Sequence, residues 1–194
     1  NNRQIQENDL LLIDAGCSYG YYNGDITRTF PVNGKFTGEQ KAIYELVLEA
    51  QLKAIEEVKP GNPYNEFHDI AVCVLVQGLI DLGLLKGDLE EIIKEEKYKP
   101  FYMHKTGHWL GLDVHDAGVY KKDEENWHPL LPGHVLTVEP GIYIGKDIKP
   151  AEGQPEIPER WRGIGIRIED DILVTETGHE VLTSAVPKAI DEII

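Results

Sequence analysis

The chain has 194 residues, 41% hydrophobic and 27% charged, enough for one domain with a sizeable core. Its 34 Asp and Glu against 19 Lys and Arg give a formal net charge of -15, which repels nucleic-acid phosphates and anionic lipid and excludes both as partners. No apolar run reaches transmembrane length, and the two cysteines, Cys17 and Cys73, lie far apart in apolar settings that fit a reduced, cytoplasmic protein.

The start, Asn1-Asn2-Arg3-Gln4, lacks an initiator Met and a signal-peptide pattern, so the chain is expected to begin mid-protein. Leu10 to Ser18 and Tyr21 to Val32 are rich in β-branched and aromatic residues and read as two strands joined by a tight connection at Tyr19-Gly20. That turn sets Asp14 opposite Asp25 on one face of a hairpin. Thr37 with Gln40 forms a capping box, and Ile43, Val47, Ala50, Ala54 and Val58 recur at helical spacing until Lys59-Pro60-Gly61. A second helix is expected from Asn62-Pro63 to about Leu85, and a short acidic third from Asp88 to Glu96. From Phe101 the pattern returns to β, with strands expected over 108–115, 134–144 and 163–175. The Pro-rich stretch from Lys146 to Arg160 reads as a long loop, and a hairpin centred on it brings Glu139 opposite Glu169. Two carboxylate-bearing hairpins suggest a duplicated architecture.

Asp14, Asp25, His108, Glu139 and Glu169 make an oxygen-rich set with one imidazole, which suits two adjacent divalent ions. Two unpaired acids facing each other on a hairpin would otherwise repel. His104, His108 and His115 fall at spacings of four and seven, and a strand places only two of them on one face. His68, His128, His134 and His179 read as structural, and the acids of Glu169-Asp170-Asp171 also allow an ordinary solvated strand end. The chain has no His-Glu-x-x-His, Cys-x-x-Cys, Walker loop, Gly-x-Ser-x-Gly or EF-hand loop.

The frames Leu12-Ile13-Asp14-Ala15-Gly16, Gly24-Asp25-Ile26-Thr27-Arg28-Thr29-Phe30, His104-Lys105-Thr106-Gly107-His108-Trp109, Thr137-Val138-Glu139-Pro140-Gly141 and Arg167-Ile168-Glu169-Asp170-Asp171 resemble the metallopeptidase family that contains aminopeptidase P, prolidase and methionine aminopeptidase. The resemblance spans essentially the whole chain. His108 to Asp116 and Arg162 to Asp171 are most similar to the aminopeptidase P branch; methionine aminopeptidases would show His-Glu where this chain has His115-Asp116.

The resemblance implies an α+β pita-bread (creatinase/aminopeptidase-like) fold of duplicated antiparallel sheet halves with flanking helices. Residues 1–194 would be its catalytic domain, without its first strands and without the amino-terminal domain, because no histidine precedes Asp14 here. It also implies two metal ions, most often manganese, with cobalt, iron or zinc as alternatives. Asp14 would chelate one ion, Asp25 and Glu169 would bridge both, and His108 and Glu139 would complete the shell of the second ion. Hydroxide bridging the ions would attack the bond between an amino-terminal residue and a following proline, with Glu139 as proton shuttle. His104 and His115 would contact substrate, Arg167 would hold Asp14, and Tyr143 would border the pocket. The implied partners are peptides with proline second and further copies of the parent chain. A prolidase acting on Xaa-Pro dipeptides and a catalytically inactive peptide-binding relative are the alternatives.

Overall fold

Gly20 and Tyr21, both at positive φ (57° and 74°), form the turn that sets the register of the first hairpin. In the computed structural model, which describes residues 3–194, β1 (Leu10–Ala15) pairs antiparallel with β4 (Ile26–Pro31) beyond the short strands β2 (Ser18–Tyr19) and β3 (Tyr22–Asn23). Two positive φ values in succession belong to the type I′ turn, whose twist matches that of the flanking strands. The turn thus sits one residue later than the sequence implies, and Asp14 faces Thr27 rather than Asp25. A register change of two keeps side chains on their face, so Asp14 and Asp25 still line one cavity.

Three helices follow. Helix α1 (Gly38–Glu56) starts at the expected capping box, with Thr37 and Gln40 bonded reciprocally. Helix α2 (Glu66–Asp81) begins later than expected. The backbone of Gly61 and Tyr64 is instead bonded to Leu130 and His128, which keeps Asn62-Pro63 extended. Helix α3 (Leu89–Lys94) is capped by Asp88, whose side chain accepts from the amides of Glu90 and Glu91. Among the described residues no helix is long and apolar enough to cross a membrane.

The second hairpin runs through β5 (Val135–Val138), β6 (Gly141–Ile144), β7 (Ile164–Arg167) and β8 (Asp170–Val174), with β9 (His179–Val181) on the outer edge of β8. Val138 pairs with Asp170 and Gly141 with Arg167, so Glu139 lies across from Glu169 as the sequence indicates. Both hairpins break their ladders for two residues on each strand. Asp25 and Glu169 hold the same place in the two breaks, directly before β4 and β8 resume. The backbones join there through a bridge between Thr27 and Glu169, whose amide donates to the Thr27 carbonyl at 3.1 Å.

The core lies between the helices and the strands. Ile142, Ile144, Ile166 and Ile168 are fully buried against α1 and α2, each such side chain contributing about 1.5–3 kcal/mol. Gly78 lets α2 close on α1, since a Cβ there would come within 2.2 Å of Leu46 Cδ1.

The strand expected over 108–115 does not form. The Asp116 carboxylate accepts the amide of Leu112, the Gly111 amide turns back to Asp113, and only an isolated bridge between Trp109 and Leu136 remains. A side chain that satisfies nearby amides competes with a ladder in this way.

Candidate metal centre and active cleft

The breaks in the two hairpins turn their acids toward one another. Ligand atoms of Asp25, His108 and Glu169 all lie within 4.8 Å of one another. His108 Nε2 is 3.4 Å from Asp25 Oδ2 and 3.6 Å from Glu139 Oε1. The segment carrying His108 is tied to β5: the Glu139 amide donates to the Thr106 carbonyl, the Thr137 amide to the His108 carbonyl, and the His108 amide to Thr137 Oγ1. His108 Nδ1 lies 3.0 Å from the Trp109 carbonyl, which can only accept, so Nδ1 carries a proton and Nε2 is the atom turned toward the acids. A metal ligand presents its ring this way, with the other nitrogen held by a carbonyl. Asp14 lies outside the tight triad and is paired with Arg167.

Arg167 organises the rim. Nη2 donates to Asp14, Nε to Thr27 Oγ1 at 3.2 Å and Nη1 to the Tyr143 hydroxyl at 3.2 Å. Thr27 passes this on by donating to Glu169 Oε2. His104 Nδ1 donates to the Lys105 carbonyl, so its Nε2 accepts from the Tyr143 hydroxyl at 2.8 Å; burial holds this imidazole below its ordinary pKa. His115 stacks edge-on against His108, with ring centres 4.3 Å apart. The loop bearing His115 is latched to the first hairpin where Asn23 donates through its amide and side chain to the Gly111 and Leu112 carbonyls. His128 and His134 bond locally, to the Pro129 carbonyl and the Leu131 amide, and His179 bonds to the Val58 carbonyl.

The charges here do not balance. Burial, then the charge on Glu139, pushes Glu169 up to about 8. Burial, opposed by Arg167 and reinforced by Asp25 and Asp14, pushes Glu139 up to about 7. Asp25 is raised by burial and then by Asp14. Carboxylates raised first by burial and then by neighbouring carboxylates are short of counter-charge. Oxygen donors with one imidazole nitrogen suit a divalent cation that would supply it, so the residues fit the metal expected from the sequence.

Several contributors lie inside the motif frames without having a role assigned from the sequence. Asp171, pushed up to about 7 by burial, accepts the amide of Asp25 at 3.1 Å and so fixes the first hairpin's break. Thr27 and Thr137 orient Glu169 and His108. Their signal is positional: each lies two residues from an acid of the cluster and shares its face.

The chain matches the model of metallopeptidase family M24 over residues 1–176. It is 53% identical to the Xaa-Pro aminopeptidase of Haemophilus influenzae and 52% identical to that of Escherichia coli, in each case over 100% of the chain. It spans 43% and 42% of those relatives' lengths. Its structure superposes on Pseudomonas aeruginosa aminopeptidase PepP with a TM-score of 0.93 at 54% identity, covering 100% of this chain and 42% of that one. Fold, motif frames and sequence similarity agree: these residues have the α+β pita-bread fold, and the chain belongs to metallopeptidase family M24.

Proposed function

We propose that the full natural polypeptide carrying this chain is a two-metal aminopeptidase that releases the residue preceding proline at a peptide amino terminus. The observation that carries this reading is the convergence of Asp25, His108 and Glu169 on one point, with Glu139 beside His108 and with Asp14, His104, His115 and Arg167 along the adjoining cleft. Relatives named Xaa-Pro aminopeptidase at 53% and 52% identity support the substrate class.

Asp14, Asp25, His108, Glu139 and Glu169 would hold two divalent ions, manganese foremost. Such ions lower the pKa of water and polarise a carbonyl. The chain's own residues do the rest. Arg167 keeps the Asp14 carboxylate oriented, and Thr27 does the same for Glu169. The proline nitrogen carries no hydrogen and must be protonated as it leaves. Glu139, between His108 and His104, holds that proton on its carboxyl. His104, braced by Tyr143, and His115 line the cleft and contact the scissile carbonyl and the proline side of the bond.

Amino-terminal release from Xaa-Pro-Yaa, Xaa-Pro and Met-Ala-Yaa by the manganese-loaded polypeptide tests this. Cleavage of the tripeptide before proline is the expected result. Cleavage of the dipeptide alone would make the protein a prolidase, and no cleavage with metal bound would make it a peptide-binding relative.

A further inference from the structure

A second cavity of about 340 Å³ opens beside the metal centre, and Lys105, Gly107 and Tyr120 line both it and the active cleft. Gly107, which lines both, leaves no room for a side chain: a Cβ there would meet the Thr137 carbonyl at 1.9 Å and the Phe67 ring at 3.2 Å. Tyr64, Phe67, Tyr120 and Trp127 make the walls aromatic. Tyr64 is 5% exposed, and its hydroxyl is buried without a hydrogen bond of proper geometry among the described residues. His68 closes the floor with Nδ1 bonded to Thr106 Oγ1 at 2.8 Å.

Charge orders the cleft from end to end. On one side of His108 and Glu139 lies a cavity lined by Asp14 and Asp25, the acids assigned to the metal site. On the other side stands the aromatic cavity with Lys105 and Lys121. Lys121 lies over the Trp127 ring, whereas Lys105 is exposed and has no ion-pair partner among the described residues. A peptide cut after its first residue has its ammonium one residue before the reacting bond and sends all the rest, ending in a carboxylate, the other way.

We propose that this cavity receives an apolar or aromatic side chain from the third residue of the peptide, the one after proline, with Lys105 facing the carboxylate of a tripeptide. The inference rests on the aminopeptidase reading and makes a tripeptide with a large third residue the preferred substrate class. The third residue's Cα is one step past proline, about 3.8 Å from the proline Cα and about 7 Å from that of the first residue, and the shared lining residues put the cavity next to the cleft.

Equilibrium binding of the product dipeptides Pro-Phe and Pro-Gly to the manganese-loaded full polypeptide, measured by calorimetry, tests the cavity without depending on turnover. Pro-Phe is expected to bind at least about tenfold more tightly, the scale of burying an aromatic side chain. Asn65→Trp, which fills the cavity from its rim, should shrink that preference to within roughly threefold. Lys105→Ala should weaken Pro-Phe but not its amide. Equal binding of the two dipeptides overturns the proposal, as does an unchanged preference in Asn65→Trp that keeps the native circular dichroism. If that variant does not fold, the acid-to-amide ratio in Lys105→Ala decides. A Pro-Phe preference in a protein that cleaves no peptide would keep the cavity and remove the enzymatic reading.

Discussion

Glu169 and Asp170 are neighbours in sequence and are both almost fully buried, at 1% and 0% exposure, yet their charges meet opposite surroundings. Asp170 accepts from Arg28, Thr183, Gln51 and Lys188. Burial pushes its carboxyl up, but Lys188 and these donors overcome that and hold it below the usual carboxylate range. Arg28, 4% exposed, also donates to the carbonyls of Glu169, Thr27, Val186 and Pro187. This network therefore anchors the chain's last segment and the backbone from which Glu169 projects. Among the described residues the Glu169 side chain has only the Thr27 hydroxyl as a hydrogen-bond partner, and it faces other acids. Where the sequence supplies counter-charge, an acid becomes scaffold; where it withholds counter-charge, the acid is available for the metal role proposed above.

The largest effect should come from breaking the scaffold half. Asp170→Asn leaves Arg28 and Lys188 facing a neutral group in a buried site, and removing one partner of a buried pair costs about 3–5 kcal/mol. Urea unfolding of the metal-free protein should show a lower midpoint at unchanged slope; a loss under about 1 kcal/mol would mean that Asp170 is not scaffold. One residue away, Glu169→Gln should do the reverse. Removing a charge that faces Glu139, Asp25 and Asp14 should leave the metal-free protein as stable or more so. Manganese affinity, read by calorimetry, should fall by more than the ~10–100-fold that outer partners of metal ligands typically cost. Equal destabilisation by both substitutions would erase the distinction.

Much of this is legible in sequence because it is local or periodic. The Thr37 capping box, the apolar period of α1 and the Glu139–Glu169 register follow from residue spacing alone. The first hairpin's register escapes spacing because it depends on which two residues accept positive φ, and a tyrosine takes one of those positions. The hydrogen-bond partners of Glu169, Asp170 and Asp171 are hidden for another reason. Their partners, Thr27, Arg28, Gln51, Thr183, Lys188 and the amide of Asp25, come from segments far apart in the chain, and only tertiary structure brings them together. The Arg167–Asp14 pairing is accessible because Arg167 shares a strand face with Glu169.

A smaller effect, whose sign matters more than its size, separates the two regions in the unsubstituted protein. In the folded metal-free state Glu139 and Asp171 are raised to about 7 and Glu169 to about 8, all above their unfolded values near ~4. Between those limits the folded state binds more protons than the unfolded one, so stability falls as pH rises. A tenfold gain in one carboxylate's proton affinity on folding is worth about 1.4 kcal/mol, so a loss of at least ~1.4 kcal/mol is expected from pH 5 to pH 8, read as a falling Tm. Metal binding requires deprotonated ligands, so with manganese present the slope should turn positive over the same window. Asp170 disturbs neither measurement. Its pKa is lowered on folding, so its contribution is complete above its unfolded value near ~3.9 and is lost only as pH falls through the lower folded value. A flat or rising Tm in the metal-free protein would show that the front cluster already has its counter-charge within the chain, and the contrast between Glu169 and Asp170 would then fail.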